Sequence, residues 1–333
     1  PQIAAEDIAF LQYTSGSTSL PKGVILTHAN LMHNMRYFDQ SGIHNKESRL
    51  LTWLPPFHDL GLIYGLLTPV YCGMACYILP NAAFVQRPAR WLEAISRFGI
   101  THTMGPNFAF DLCLNGVGDE QLAGLDLSRW QHALNGAEPV RMQTMRAFAE
   151  RFAAAGFDLR VFSPSWGLAE AACIVTGLHY AGSGQRRQER PAPQEVWVLA
   201  AELQRNRLVF ASPDDPAAMS LAGSGYPIAD TELLIVDPET LAPCPADRVG
   251  EVWVRNGAVS PGYWQNPEQT QATFHAVWPA THPASAGCAP ATWAFYTTAN
   301  FILPAVLRTS SSSAAKTITR RTSNGRWTRP TRY

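Results

Sequence analysis

The 333-residue sequence is poor in the features that would place it outside ordinary globular proteins. Its six cysteines (Cys72, Cys76, Cys113, Cys173, Cys244 and Cys288) include no CxxC pair and have no histidine cluster nearby. That argues against a disulfide framework or structural zinc, and for reduced thiols in core positions of a cytoplasmic protein. Charge is sparse and balanced, with 26 basic and 26 acidic residues, so the average gives no sign of a nucleic-acid partner or an anionic membrane. The opening PQIAAEDIAF has no basic segment leading into an apolar one, and no signal peptide is expected. From Leu60 to Gln86 there is no charge at all. The run GLIYGLLTPVYCGMACYIL is long enough to cross a bilayer. Gly65, Pro69 and Gly73 interrupt it, and MACYILP reads as a short buried strand closed by proline. A helix followed by a core strand is expected there, not a membrane span. The last deficit is local. After Glu268 there is no Asp or Glu, while Arg308, Lys316, Arg320, Arg321, Arg326, Arg329 and Arg332 remain. Taken literally, this tail is a disordered basic arm for an anionic partner.

Hydrophobic residues make up 46% of the chain, enough for a large core. Ile8, Phe10 and Leu11 form a short strand into Tyr13. Leu31, Met32, Met35 and Phe38 recur at helical spacing, which predicts strand, loop, helix. LLTWLPPF (50–57) reads as a buried strand ending in a Pro-Pro turn. Trp91, Leu92, Ile95 and Phe98 mark a helix, GITHTMGP a strand, Met142, Met145, Phe148 and Phe152 another helix, and LRVFSPSWG another strand. This alternation predicts an α/β fold with a mainly parallel sheet covered on both faces. Ligands then belong at the carboxyl ends of its strands. Beyond Tyr180, AGSGQRRQERPAPQE is a polar, Pro-rich loop or insertion. TELLIVDPET, VGEVWVRNG and SPGYWQNP then suggest a smaller β-rich part. The expected organisation is an α/β core over 1–180, an insertion over 181–220, a β-rich subdomain over 221–276, and a tail over 277–333.

Chemistry concentrates at three strand ends. The first is YTSGSTSLPKG (13–23). Small residues expose backbone N–H groups to an approaching polyphosphate, and Thr14, Ser15, Ser17 and Thr18 add hydroxyl donors beside Gly16. Lys22 supplies the neutralising charge. The spacing is not that of the GxxxxGK[ST] loop, because Gly16 is too far from Lys22 and Gly23 stands where Ser or Thr belongs. The second is SPSWGLAEAA (163–172). Trp166 offers a face to a planar base, Gly167 permits close approach, and Glu170 is a carboxylate suited to magnesium, which needs few protein oxygens. The third is the polar turn NGAEPVR (135–141).

In this order the three stretches resemble the adenylate-forming superfamily of acyl-CoA ligases, adenylation domains and luciferases, and within it the fatty acyl-AMP ligases. WLPPFHDLGLI (53–63), GPNFAFDLC (105–113) and GEVWVRNGAVSPGYW (250–264) match as well, and Ser19 replaces the glycine of most acyl-CoA ligases. The resemblance implies the large α/β domain of that fold, with a small β-rich subdomain. It implies activation of a long-chain fatty acid by ATP to acyl-adenylate, with release of pyrophosphate. Transfer to the phosphopantetheine arm of an acyl carrier protein follows. An acyl-CoA ligase, or an inactive nucleotide-binding fragment, are the alternatives. Thr14 to Thr18 and Lys22 would hold phosphates, and Glu170 with Thr14 would hold Mg2+. Trp166, Gly167 and the Gly136-Ala137-Glu138 turn would bracket adenine. His58 would stand at the mouth of the acyl tunnel, with Gly105, Asn107, Phe108 and Phe110 along it. Lys22, Thr18, Glu170 and His58 are the residues implied in catalysis.

Two of the family's motifs, TGD on the ribose and a lysine of a mobile C-terminal domain, do not occur in the sequence. The pattern stops after TFHA (273–276), and the genetic code offers a reason. Joining the third base of each codon to the first two of the next forces Gly from Trp293-Ala294 and Leu from Phe295-Tyr296. Over 286–301 the shifted frame permits WLRTGDLGxLHDGEL, and later TGRLKD and xNHYPxDIE. These readings point to a frameshift near Ala276. They imply a non-native or disordered tail, and the resemblance with its missing motifs implies a chain truncated at its N-terminus and inactive by itself.

Overall fold

The computed structural model describes residues 2–14, 21–40, 43–177, 190–275, 293–297 and 300–302. The glycine-serine loop separates two antiparallel strands, β1 (Ile8–Thr14) and β2 (Lys22–Thr27), paired from Ile8↔Thr27 to Thr14↔Lys22. The sequence suggested a helix directly after the loop, and a strand intervenes because Val24 and Leu26 must fill the core at alternate positions. Helix α1 (His28–Gln40) starts only where it is capped. The Thr27 hydroxyl accepts from Asn30 N (3.2 Å), and Asn30 Oδ1 accepts from Thr27 N (3.1 Å), a reciprocal capping box.

The central sheet follows. In chain order its elements are β3 (Arg49–Thr52), α2 (Thr68–Cys72), β4 (Ala75–Ile78), α3 (Asn81–Gln86) and α4 (Ala89–Phe98). Then come β5 (His102–Gly105), α5 (Asn107–Gly116), α6 (Asp119–Ala123), β6 (His132–Asn135), α7 (Met142–Arg151) and β7 (Phe162–Pro164). The strands lie in the order β4-β3-β5-β6-β7, all parallel. Side chains alternate between the two faces, as the strand period of two requires. Leu51, Ala133 and Phe162 join an aromatic core with Trp91, Trp130, Phe110 and Phe148. Leu50, Met104 and Leu134 face Leu31, Phe38, Ile63 and Tyr64.

The uncharged stretch resolves into a wide helical turn (Leu60–Leu67) with i→i+5 bonding at its end, where Thr68 N donates to Ile63 O, then α2 and β4. No helix among the described residues is long and apolar enough to cross a membrane. The expected buried strand MACYILP is corrected, because β4 is the sheet edge and Ile78 is 70% exposed. Among the described residues the cysteines form no disulfide. Cys113 and Cys173 are buried as expected, while Cys76 on this edge is exposed.

After the sheet come β8 (Trp166–Gly167), β9 (Ile174–Gly177), β10 (Glu195–Leu199), α8 (Ala200–Leu203), β11 (Ala218–Ala222), β12 (Tyr226–Pro227), β13 (Glu232–Val236), β14 (Gly250–Arg255) and α9 (Pro267–Phe274). The antiparallel β10–β11 pair begins in the expected insertion (181–220), runs two residues past its bound, and has its own small core of Val198, Leu203, Leu208 and Leu221. SPGYWQNP forms no strand. It stitches the β-rich part to β2, through a bridge between Val24 and Tyr263 and a bond from Trp264 N to Gly23 O (2.7 Å). Within the tail, β15 (Trp293–Thr297) pairs with β14, and β16 (Asn300–Ile302) with β15. The rest of the expected out-of-frame segment lies outside the described residues.

Between α1 and the sheet lie three buried histidines. The Tyr64 hydroxyl joins His44 Nε2 and His132 Nδ1, both at 3.1 Å, and His102 stacks 4.6 Å from His44. Burial holds His44 down to about 4 and pushes His102 and His132 well below the usual histidine range. The unfolded chain titrates these groups near about 6.5, so it binds more protons than the fold between the two values. The cluster's contribution to stability is therefore full above about pH 6.5 and falls as pH drops toward 4. Urea midpoints should decline already between about pH 6.5 and 5.5, before carboxylates titrate. A midpoint flat across that interval would contradict this account of the cluster.

Candidate functional site

The parallel strands deliver their following loops to one end of the sheet. A cavity of about 130 Å³ opens there. Three separate stretches line it: His58, Asp59 and Leu60 after β3; Leu134, Gly136 and Ala137 at the end of β6; and Ser165, Trp166 and Gly167 after β7. Cys173 and Ile174, at the entry to β9, close it. Two of the three strand ends singled out from sequence, NGAEPVR and SPSWG, thus meet here with the His58 stretch, while no described residue of 13–23 lines the cavity. Close backbone packing enforces the meeting. A Cβ on Gly167 would lie 1.7 Å from Cys173 O, and one on Gly136 2.6 Å from Ser165 O. The freedom at Gly167 therefore admits the neighbouring strand, β9, where sequence suggested the approach of a ligand. Ala137 has φ of 66°, a left-handed conformation that a non-glycine residue adopts only when its surroundings impose it.

His58 stands at the rim with about half of its side chain exposed, and its Nδ1–H donates to Asp59 Oδ1 at 2.8 Å. That hydrogen bond, aided by the carboxylate charge and opposed by partial burial, raises the His58 pKa above the ordinary histidine value. Asp59 also caps the following helical turn by accepting from Leu60 N. The histidine is thereby tied to the start of the apolar segment.

The residues expected along an acyl tunnel have different surroundings from one another. Phe108 is 40% exposed and meets Trp53 edge-on at 6.1 Å. Phe110 is fully buried, packed on Phe162 (4.8 Å) and Phe148 (5.3 Å), a place in the core that leaves no surface for a ligand. Asn107 is also buried, accepting from Arg141 N (3.0 Å) and donating to Thr144 Oγ1 (3.1 Å), and so ties α5 to the NGAEPVR turn. Gly105 ends β5 against Trp53 and Ala109. Glu138 Oε1 accepts from Phe108 N at 2.5 Å, capping α5 from the same turn.

Of the phosphate-loop residues, Thr14 and Lys22 are described, while Ser15, Gly16, Ser17, Thr18 and Ser19 lie outside the described residues. Glu170 sits on a single helical turn (Ala169–Ala171) between β8 and β9, not at the start of a longer helix. Its Oε1 accepts from the Tyr263 hydroxyl at 2.7 Å. Lys22 Nζ lies 5.0 Å from the centroid of the Tyr263 ring and donates to Gln269 Oε1 at 2.8 Å. Lys22 and Glu170, distant in sequence, therefore share a neighbour. Sequence reasoning assigned no role to Tyr263, Gln269 or Asp59. The GYW stretch was visible as a motif, but nothing in one sequence says which side chain it faces.

The AMP-binding enzyme family pattern matches residues 1–264. Among curated proteins the chain is similar to the medium-chain-fatty-acid–[acyl-carrier-protein] ligase JamA of Moorena producens, 44% identical over 279 residues, covering 83% of this chain and 45% of JamA. It is also similar to the ligase TtuA of the same description from Teredinibacter turnerae, at 39% over 286 residues, covering 86% of this chain and 43% of TtuA. The solved fatty acid AMP ligase of Legionella pneumophila superposes with a TM-score of 0.83 at 38% identity, over 91% of this chain and 50% of that one. A structure of the fatty acyl-adenylate ligase from the same organism, in complex with acyl adenylate and pyrophosphate, gives the same TM-score and identity, over 91% of this chain and 51% of that one. The chain spans about half the length of the curated relatives it matches.

Two substitutions check the geometry. Asp59→Asn should move the His58 titration, followed by NMR, down toward about 6.5; an unmoved pKa would mean that Asp59 is not its cause. The part of stability linked to His58 is fully present below about pH 6.5 and lost as pH rises through the raised pKa. Gly167→Ala should lower stability by about 3 kcal/mol or more in urea unfolding, as its methyl overlaps a backbone carbonyl. A loss below about 1 kcal/mol would show that β8 and β9 separate easily.

Proposed function

The chain belongs to the AMP-binding enzyme family, and on that premise we propose that it is part of a fatty acyl-AMP ligase. The whole enzyme would join a fatty acid to ATP, release pyrophosphate, and pass the acyl group to the phosphopantetheine arm of an acyl carrier protein in the cytoplasm. The observation that carries this reading is the convergence of His58-Asp59, Gly136-Ala137 and Trp166-Gly167 on one cavity at the carboxyl ends of a parallel sheet. The ligases named above, similar over more than four-fifths of this chain, support the choice of acid and acceptor.

The residues divide the work. The Trp166 ring and the backbone of Gly136 and Ala137 would hold the adenine between an aromatic face and an immobile turn. Lys22 would neutralise phosphate oxygens, with backbone N–H groups of the preceding loop as further donors. The acid would enter beside His58, whose raised pKa favours the protonated imidazole that a carboxylate would meet at the rim. No covalent enzyme intermediate is needed: the carboxylate attacks the α-phosphate and pyrophosphate leaves, with positioning and fixed charge lowering the barrier.

Magnesium fits the residues present. Among the described residues no three His, Cys, Asp or Glu gather as a cage. Glu170 offers one carboxylate, of which Oε1 is engaged by Tyr263. A cation that draws most of its oxygens from phosphate and water needs no more, and Glu170 with Thr14 would hold it. Bound there, it would neutralise charge on the phosphates.

The acyl-CoA ligase reading stays as the second possibility, because relatives at 35% identity are named putative fatty-acid–CoA ligases. We further propose that the tail after Ala276 is out of frame, which accounts for the missing TGD motif and for the lack of any acidic residue from there on. Resequencing codons 270–280 decides it: an intact frame with no indel sinks the idea.

For the function, calorimetry on this chain should detect ATP and AMP binding. Trp166→Ala should weaken both at least about tenfold, since stacking on an aromatic face contributes on that order. Unchanged affinity would remove Trp166 from the adenine site. With the reading frame restored, ATP–pyrophosphate exchange should depend on a medium- or long-chain fatty acid, and acyl transfer should favour carrier protein over CoA. Exchange without any fatty acid dependence, or preferential CoA transfer, would overturn the assignment.

A further inference from the structure

Tyr263 belongs to a turn with no strand or helix of its own, yet it is among the most firmly held side chains near the site. It is 5% exposed, and its ring meets Phe274 edge-on at 5.1 Å. Its backbone N–H donates to Thr270 Oγ1 (2.9 Å), and that hydroxyl donates to Asn266 O (2.8 Å). On the other side Tyr263 bridges to Val24, and Trp264 N donates to Gly23 O. Both contacts fix it to β2, the strand that begins with Lys22. A second tie runs to the Glu170 turn, where Ser260 N donates to Glu170 O (2.8 Å). The residue is thus fixed to three segments, chiefly through the backbone of its turn, before its own hydroxyl is considered.

Its two faces of chemistry point to the two charged residues of the site. The hydroxyl donates to Glu170 Oε1 at 2.7 Å, and Lys22 Nζ stands over the ring at 5.0 Å. A carboxylate that gives one oxygen to a fixed donor has its plane and its second oxygen oriented. A lysine ammonium, on a flexible four-carbon stem, is otherwise free to sample many positions. An aromatic face and the Gln269 carbonyl restrict it to few. We infer that Tyr263 is a positioning residue that holds Lys22 and Glu170 in one arrangement before ligand arrives, setting the cation and the carboxylate of the polyphosphate end of the site. The inference rests on the functional reading above, in that the ligand it serves is a magnesium-bound nucleoside triphosphate. The clamp itself is a property of the free protein.

The test therefore has two arms. In the free protein, thermal melting of Tyr263→Phe, Glu170→Ala and the double variant forms a cycle. The double variant should melt close to the less stable single variant, since both remove the same bond; additive losses would overturn the clamp whatever the ligand. In the second arm, Tyr263→Phe should bind ATP with magnesium about tenfold more weakly, the effect of a lost hydrogen bond to a charged group, and bind magnesium-free AMP within about twofold of the parent. Tyr263→Leu, which also removes the ring beneath Lys22, should weaken magnesium-free ATP relative to AMP. Equal losses for AMP and for ATP with magnesium would show only a general support of the fold and overturn the positioning role. A parent chain that binds no nucleotide, with the melting cycle still coupled, would overturn the functional reading and the ligand half of the inference, leaving a purely structural clamp.

Discussion

The parallel register of β3, β5, β6 and β7 is the constraint on which the site depends. Parallel strands run their hydrogen-bond ladders in one direction, so each loop that follows a strand emerges on the same side of the sheet. Gly105 pairs with Asn135 and Asn135 with Pro164, which sets the ends of three strands level. The turns bearing Asn107, Gly136-Ala137 and Ser165-Trp166 then have no choice but to be neighbours. Sheets of this type must be buried on both faces. The cluster of Trp91, Trp130, Phe110, Phe148 and Phe162 on one side, and Leu31, Phe38, Ile63 and Tyr64 on the other, supply that burial.

A second layer of organisation comes from pieces that are not part of the sheet. The β1–β2 pair carries Thr14 and Lys22, the β8–β9 pair carries Trp166 and the Glu170 turn, and the GYW segment joins them. The cavity lining and the Lys22–Glu170 pair are thus held by different kinds of contact. The sheet edge fixes the first, through backbone contacts so close that Gly136 and Gly167 admit no side chain. Side-chain contacts around a single tyrosine fix the second.

Much of this was legible from residue order alone. The alternation of strand and helix patterns gave the parallel sheet, and small polar turns after apolar runs marked the strand ends that line the cavity. Where the reading failed, a distant partner decided the outcome. β2 looks like the start of a helix until its apolar residues are seen to complete a core, and MACYILP looks buried until β4 is found at the sheet edge. Phe110 has the composition of a tunnel residue, but its ring is consumed by Phe148 and Phe162. Tyr263 and Asp59 went unassigned because a hydrogen bond between residues far apart in sequence, or the pairing of a histidine with its neighbour, leaves no periodic trace. Ser15 to Ser19, the residues that most directly suggested phosphate, lie outside the described residues, so their part rests on sequence.

The central claim is that the cavity at the strand ends receives adenine. Photolabelling with an azido-adenine nucleotide, followed by peptide mapping, tests it most directly. The account predicts label on the peptides containing Gly136-Ala137 and Trp166-Gly167, displaced by excess ATP. Displaceable label confined to other peptides, such as those of β10 and β11 or of β13, would contradict it.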